Sequence, residues 1–516
     1  MKKIGVFFVL LIVACIPFLS ACKTKPNSST GEGEKTPEKQ EAVAETVDEK
    51  DIAKVRTEPT FVFSEIETDY GEIYPAFYVA DDMLLQRRKV NVIKGKSYTA
   101  SHVAVRINET VYYGELNEGD FCVYLPPMEA MKGLTLEIIT EDAKRTVKNV
   151  AIGELFLCAG QSNMAWQVGY SSSYYTELIE TADYKDIRLF NMPKAEKSYA
   201  SLTANAKWML ATKGNISTFS LFGLLYAISM QKELEIPIGV VNASVGSTLL
   251  CYWLPRESFK ALEKRSAVYV NYEKSVFSPS LGFNGMISPL RDMTFRGMVW
   301  YQGESNGYKA NLYAGELKEL INAYRDFFDD EKLTVTVVGL PRYNAELQER
   351  WAAIRVAQRA AVAQFDYAVY TENIDLGDSE DIHPRKKDLI ASRAAGITLD
   401  EFFYGNESRQ TFAVAAEKNG LEAMIDVSGG GGLTLKNGAN GFEFSSDGVS
   451  WRSAAEASIR DGKLVVTASE EFRYIRYGYK SDYEKEAPES EQAVGGFVSA
   501  FNEYGLPLGQ FLFRFK

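Results

Sequence analysis

Histidine is nearly missing from this chain: 516 residues hold two, His102 and His383. That scarcity excludes a His-rich metal site, because one imidazole per region cannot supply a tetrahedral donor set and no Cys cluster replaces it. Neither a metal nor an organic cofactor is expected. Cysteine is scarce as well, at five residues. Cys15 and Cys22 belong to the N-terminal leader, which leaves Cys122, Cys158 and Cys251. Three thiols allow at most one disulfide, so this is no disulfide scaffold, and all three read as small buried hydrophobes. Positive charge is in deficit, with a net charge of -12. A nucleic-acid partner would require a basic face, whereas net charge says little about a sugar substrate. After residue 18 no apolar run is long enough to span a membrane. Residues 23–55 hold no aromatic side chain and are rich in Lys, Glu, Thr, Ser and Pro. Such a stretch buries too little apolar surface to offset ordering, which predicts a flexible tether.

What is present begins with an address. Lys2 and Lys3 precede an apolar run from Val6 to Phe18, closed by Leu19-Ser20-Ala21-Cys22. The run is short for a membrane span and suits a signal peptide over residues 1–22. Its ending resembles a bacterial lipobox, which implies a lipidated Cys22 and a protein exported to the cell envelope and tethered to a membrane surface.

The length suggests about three domains, and 29 Tyr with 29 Phe supply enough apolar surface for real cores. Residues 56–150 show short strand-like runs such as Val90–Ile93, His102–Arg106, Thr110–Tyr113 and Leu134–Ile139, with Lys94-Gly95-Lys96 as a turn, a pattern of a β-sandwich. From 151 to 405 apolar runs alternate with helical stretches. Glu154–Cys158, Ile238–Val241, Gly297–Tyr301 and Leu333–Leu340 read as strands. Phe219–Leu234, Leu312–Phe328 and Ala352–Gln364 read as helices. Continuously apolar strands alternating with helices predict a parallel sheet covered on both faces, with ligands at the carboxyl ends of the strands. Residues 406–516 return to β patterning around Leu464–Val466 and Phe472–Tyr477. Gly429–Gly432 reads as a loop, because no strand–Gly–helix context surrounds it.

The chemistry-bearing residues follow the strands of the α/β region. Ser162, in Gly160-Gln161-Ser162-Asn163-Met164, stands just after an apolar strand, where its backbone N–H could also meet an oxyanion. The motif is not the Gly-x-Ser-x-Gly elbow, since Met164 replaces the second glycine. Gly246, in Val241–Thr248, and Gln302, in Val299–Asn306, end two further strands. His383, in Glu380-Asp381-Ile382-His383-Pro384, is the imidazole of this region, so a base for Ser162 falls on it. His102 lies in an alternating strand of the N-terminal region. Together these form one constellation of nucleophile, oxyanion donors and acid–base element.

The pattern resembles the sialate O-acetylesterase family of the SGNH hydrolases. The likeness is carried by Gly153–Met164, Asn284–Leu290, Trp300–Asn306, Arg355–Gln358, Asp375–Asp378 and Asp381–Pro384. Outside that region Asp82–Arg87, Tyr474–Tyr477 and Asn502–Pro507 extend it, so the resemblance covers nearly everything from about residue 75. It implies an SGNH-type three-layer α/β hydrolase domain flanked by N- and C-terminal β-sandwich-like domains. It also implies cofactor-free hydrolysis of an O-acetylated carbohydrate, with Ser162 as nucleophile, His383 as base, and Ser162, Gly246 and Gln302 as the oxyanion hole. Asn306 is a weaker candidate for that hole. The third triad member is Asp381, with Glu380 or a backbone carbonyl as alternatives. The chain departs from the family where Ser247 follows Gly246 and where Val245 replaces a common Trp, which bears on substrate preference. The acetylated sugar is a sialic acid or another polysaccharide such as xylan. The rival from another class is a non-catalytic glycan-binding surface lipoprotein, against which the intact Ser162, Gln302 and His383 argue.

Overall fold

One strand organises the chain. Lys144–Gly160, here β1, is 17 residues long, and its sequence changes character halfway. The first part, Lys144 to Asn149, is polar and partly exposed, while everything from Val150 to Gly160 is buried. A mixed half suits a strand with one wet face; a continuously apolar half suits a central strand covered on both faces. The structure is a computed structural model that describes residues 49–61, 72–265, 278–344, 348–406, 408–436, 438–480 and 498–515. The signal segment, Cys22 and most of the expected tether lie outside the described residues. The tether does not run to residue 55. Glu49–Ile52 form a helical turn, and Val55 packs against the main core.

Six further strands join β1 in one sheet. They are β2 (Asp183–Asn191), β3 (Trp208–Thr212), β4 (Ile238–Ser244), β5 (Gly297–Tyr301), β6 (Thr334–Val338) and β7 (Ala368–Thr371), in the order β3-β2-β4-β1-β5-β6-β7. All neighbours are parallel except β3, which pairs antiparallel with β2. The sheet is therefore mixed rather than wholly parallel. After β1 the chain builds one side through β2 and β4, then crosses to build the other through β5, β6 and β7. The carboxyl end of β1 is thus the topological switch point, where open α/β sheets bind ligands.

Helices cover this sheet. They are α2 (Leu221–Leu234), α3 (Ala310–Phe327), α4 (Gln348–Val362) and α5 (Asp388–Leu399), while α1 (Ser162–Ala165) is a single turn. Ser220 caps α2 by accepting the Gly223 N–H at 3.0 Å, and Glu235, in the left-handed conformation, ends it before Pro237. Pro cannot continue a helix, so the stop follows. Packing joins α2 to α5 against β2, β4, β6 and β7, and α3 to α4. Phe156 and Leu157 of β1 are wholly buried in the shared core, each worth roughly 1.5–3 kcal/mol of burial.

The boundary expected between residues 150 and 151 falls inside β1. Met131–Ile139 pairs antiparallel with its first half, and Leu84–Gln86 runs parallel beside Ala151–Gly153. The apolar run continues across the junction, so the N-terminal strands and the central sheet share a core. A second correction concerns Lys94-Gly95-Lys96, which lies within the strand Asn91–Ser97 rather than in a turn. A Cβ at Gly95 would sit 2.4 Å from the Phe121 ring. The glycine is there so that the ring can cross the strand, not to reverse the chain. The C-terminal strands, from Phe412–Asn419 to Phe511–Arg514, enclose their own cluster around Phe442, Ile475 and Tyr477. That region is joined to α4 by polar contacts: Arg359 donates to the Gln510 carbonyl at 3.0 Å, and Gln510 to the Ala352 carbonyl at 2.7 Å.

A buried ionic contact holds β1 where it enters the central sheet. Glu154 is nearly inaccessible and pairs with Arg87, while Gln86 donates to its other oxygen at 2.7 Å and accepts the Leu155 N–H at 2.8 Å. Removing one partner of a buried pair leaves the other charge uncompensated. Glu154→Ala should therefore lower stability by about 3 kcal/mol or more, read from chemical denaturation curves; a loss under 1 kcal/mol would show the contact to be incidental.

Candidate active site

The nucleophile candidate sits two residues beyond β1. Gly160 has φ +144°, and a Cβ there would lie 2.1 Å from the Tyr301 carbonyl oxygen, so only glycine lets β1 and β5 approach so closely at their ends. Gln161 donates its N–H to that same carbonyl at 3.1 Å, and Ser162 opens α1. A Cβ built on Gly246 would touch the Ser162 Cβ at 3.5 Å, so the loop after β4 faces the serine directly. Val245 fixes that loop by donating to the Gly160 carbonyl at 3.1 Å.

His383 returns from the far side of the sheet. It follows β7 on a loop whose backbone is held by side chains. Arg393 grips Asp375 through two contacts of 2.7 and 2.8 Å. Asp378 accepts the N–H groups of Glu380 and Asp381, and Asp381 accepts that of His383 at 2.8 Å. The loop docks on α1 in two places. Asn163 Nδ2 donates to the Ile382 carbonyl at 3.0 Å, and the Trp166 ring stacks on the imidazole, with centroids 4.8 Å apart and planes 20° apart. Ser162 and His383 are thus brought together through their immediate neighbours. They are not themselves hydrogen-bonded, and such contacts commonly tighten only with substrate present.

Asp381 lies behind the imidazole, its Oδ1 3.8 Å from His383 Nδ1. Its other oxygen accepts Arg385 Nε at 2.9 Å, and the Arg385 guanidinium lies over Trp166. Glu380 is exposed. Burial, and then the Lys387 ammonium, lower the His383 pKa below 6.5, against the opposing pull of Asp381. The shift favours the neutral imidazole, the form able to accept a proton, at neutral pH. His102 lies elsewhere, beside Glu141 and the Phe61 ring in the N-terminal region.

Gln302, expected among the oxyanion donors, lies in a buried amide cluster. It is wholly buried, and its Nε2 shares two N–H donors among three acceptors: Gln161 Oε1 at 3.1 Å, the Thr248 carbonyl at 3.0 Å and Asn306 Oδ1 at 2.8 Å. Its donors are committed inside the wall rather than aimed at a crevice. Asn306 is committed likewise, donating to Glu316 at 3.0 Å. The physical reason is mutual: once three amides are desolvated together, each needs the others as partners. Among the described residues, no hydrogen-bond partner is recorded for the N–H of Ser162 or of Gly246.

Several residues around the site had not been singled out from the sequence: Asn163, Trp166, Glu304, Arg385 and Lys387. Their adjacency to Ser162, Gln302 and His383 was the available signal, since side chains beside a strand-end motif must face something. Among the described residues no group of three or more His, Cys, Asp or Glu side chains could hold a metal ion. A hydroxyl, a neutral imidazole and unpaired N–H groups at one switch point suit attack on an ester carbonyl.

Comparison with known proteins places this geometry in context. Residues 152–391 match the family described as carbohydrate esterase, sialic acid-specific acetylesterase. The sialate O-acetylesterase of Pongo abelii is 30% identical, covering 62% of this chain and 69% of that protein. The Homo sapiens sialate O-acetylesterase is 29% identical over the same shares. A carbohydrate acetylesterase from Xanthomonas citri shares the fold, with a TM-score of 0.76 at 23% identity over 86% of this chain and 99% of that one.

The lowered His383 pKa is open to direct measurement. In a His102→Gln background one histidine remains, and its imidazole resonances should titrate with a midpoint below 6.5. A midpoint above 6.5 would mean that Asp381 outweighs burial and Lys387.

Proposed function

We propose a reaction for this site from one premise: the chain belongs to the sialate O-acetylesterase family. It hydrolyses O-acetyl esters carried on sugars. Ser162 attacks the acetyl carbonyl while His383 takes its proton, then returns it to the departing sugar hydroxyl. Water activated by His383 releases acetate from the acyl-enzyme. The N–H groups of Ser162 and Gly246 stabilise the oxyanion, each worth roughly 3 kcal/mol in the transition state. Gln302 serves them indirectly, by bracing the Thr248 and Gln161 ends of the two turns. Asp381 orients His383 through its backbone N–H and lies on the Nδ1 side, a position exposed Glu380 does not share. The observation that carries this reading is the docking of the His383 loop on α1, through Asn163 and Trp166, directly beside Ser162.

In this reading the sheet and its helices form an SGNH-type three-layer domain, and the β regions on either side are sandwich-like supports. The sugar rests on aromatic surface next to the imidazole. Tyr170 and Tyr174 are more than half exposed, and Tyr170 meets the Trp166 ring edge-on at 5.2 Å. Such faces suit the apolar side of a pyranose, with an O-acetylated sialic acid the first substrate to try. Export and anchoring through Cys22 complete the proposal. Its support is the charged start, the short apolar run and the small residues before that Cys. Mass spectrometry of the N-terminal peptide tests it, and an unmodified Cys22 would end the anchoring claim.

Acetate release from a chromogenic acetyl ester, and from acetylated sialosides and xylan side by side, tests the chemistry. Ser162→Ala and His383→Ala should each lose about 10⁴-fold, while His102→Gln retains the wild-type rate. An active Ser162→Ala, or an inactive wild type, overturns the esterase reading. Tyr170→Ala should raise KM for the acetylated sugars by roughly threefold to tenfold, the equivalent of ~1 kcal/mol of ring contact, and leave the chromogenic ester untouched.

A further inference from the structure

Beneath the Ser162 turn lies a polar cluster that the acyl-transfer steps do not use. Lys387 is wholly buried, with its ammonium 5.9 Å from the centroid of the Tyr301 ring. Its Nζ donates to Asn163 Oδ1 at 2.6 Å. The same amide donates through Nδ2 to Glu304 Oε1 at 2.7 Å and to the Ile382 carbonyl at 3.0 Å. The Glu304 side chain is partly buried, but its Oε2 is out of reach of solvent and, among the described residues, has no hydrogen-bond partner. Placing an ammonium and a carboxyl group out of water is costly, and apolar residues of the same size would fill the space at less cost. Stability alone therefore does not account for the cluster.

Its geometry does. An asparagine amide can sit in two orientations of nearly equal shape. Only one of them turns Nδ2 toward the Ile382 carbonyl. A cation can meet only the amide oxygen, and a carboxylate can meet only the amide nitrogen. Lys387 on one side and Glu304 on the other therefore hold Asn163 in the orientation that reaches Ile382. Asn163 follows Ser162 directly, and Ile382 precedes His383 directly. We infer that Asn163 is the positioning residue that sets the separation of Ser162 and His383, with Lys387 and Glu304 locking its amide from either end. The inference rests on the esterase reading of Ser162 and His383.

The surrounding charges give the cluster a signature in pH. Asp381, Arg385 and His383 face it from the returning loop, Glu304 from the turn after β5, and the Tyr175 hydroxyl accepts the Lys387 backbone N–H at 2.8 Å. Burial lowers the Lys387 pKa to about 7 and raises that of Glu304. The Lys387 charge in turn lowers that of His383. Removing the charge must therefore raise the His383 pKa, and the acidic limb of kcat/KM must move to higher pH.

The test measures kcat, KM and the pH profile on a small chromogenic acetyl ester. An aspartate has no Nδ2, so Asn163→Asp should lose about 10²-fold in kcat, the scale of a 1 Å misplacement, with KM within about twofold. Glu304→Gln still offers an oxygen to Nδ2 and should keep kcat within about fivefold of wild type, whereas Glu304→Leu should fall with Asn163→Asp. Lys387→Met should shift the acidic limb upward. If it fails to fold, the double variant Lys387→Met with Glu304→Gln leaves no buried charge and should show the same shift. A wild-type kcat in Asn163→Asp, or an unshifted limb in the double variant, overturns the inference while the esterase reading stands. The esterase reading is judged separately, from the wild type and Ser162→Ala on the same ester.

Discussion

The site depends on the continuity of β1. Its first half is paired with Met131–Ile139, and its second half is flanked by β4 on one side and β5 on the other. A strand clamped by hydrogen bonds on both edges cannot slide by one residue without turning every side chain to the opposite face. The place where it ends is therefore fixed, and Ser162 stands two residues past that end. The buried contact of Glu154 with Arg87 and Gln86 sits just inside the central sheet. The polar N-terminal strands are thus tied into the register of the strand that leads to Ser162.

The imidazole faces the opposite problem. It leaves β7, and β5 and β6 lie between that strand and β1. The loop must cross the top of the sheet, where backbone groups leave water and need partners. Side chains supply them. Asn373 donates to the Gly339 carbonyl at 2.9 Å, Arg393 holds Asp375, and Asp378 and Asp381 cap successive N–H groups. This explains why the segment before His383 is so rich in aspartate. Most of those carboxylates hold the loop, accepting hydrogen bonds that fix the path of the segment carrying His383. Asp381 does so while also standing 3.8 Å from Nδ1.

How far the sequence could be read follows from which forces are local. Apolar runs mark strands whatever their partners, so Gly297–Tyr301 matches its strand to the residue and Ile238–Val241 matches the first four residues of β4, while Pro237 marks the stop of the helix before it. The order of strands around β1 was not legible, because it is a matter of which edges meet. The boundary drawn at 150 marks a change from polar to apolar, and one strand passes through it from a partly exposed sheet into a buried one. Gly95 was taken for a turn because glycine serves both reversal and close approach, and only the Phe121 ring distinguishes them. At the site, the proposal for Ser162 and His383 rests in the sequence on scarcity and position, and the fold brings their chain neighbours into contact. The commitment of Gln302 was not, since an amide's orientation is decided by partners from Gln161, Thr248 and Asn306, which lie far apart in the chain.

The same reasoning bears on the departures beside Ser162. Where a second glycine is common, this chain has Ser247, and its φ is +64°. That is the left-handed conformation glycine adopts freely and other residues adopt at a cost of roughly 1–2 kcal/mol. The backbone path has thus been kept although the residue that makes it easy has gone. A strained residue persists only where its surroundings over-determine it. Here the surroundings are identifiable: Val245 is bonded to the Gly160 carbonyl before it, and the Thr248 carbonyl is held by Gln302 after it. Gln302 therefore secures the path of the Gly246 loop even though its own amide never faces the crevice. The loop that carries Gly246 is thus held from both ends, by the Val245 N–H and by the buried Gln302 amide.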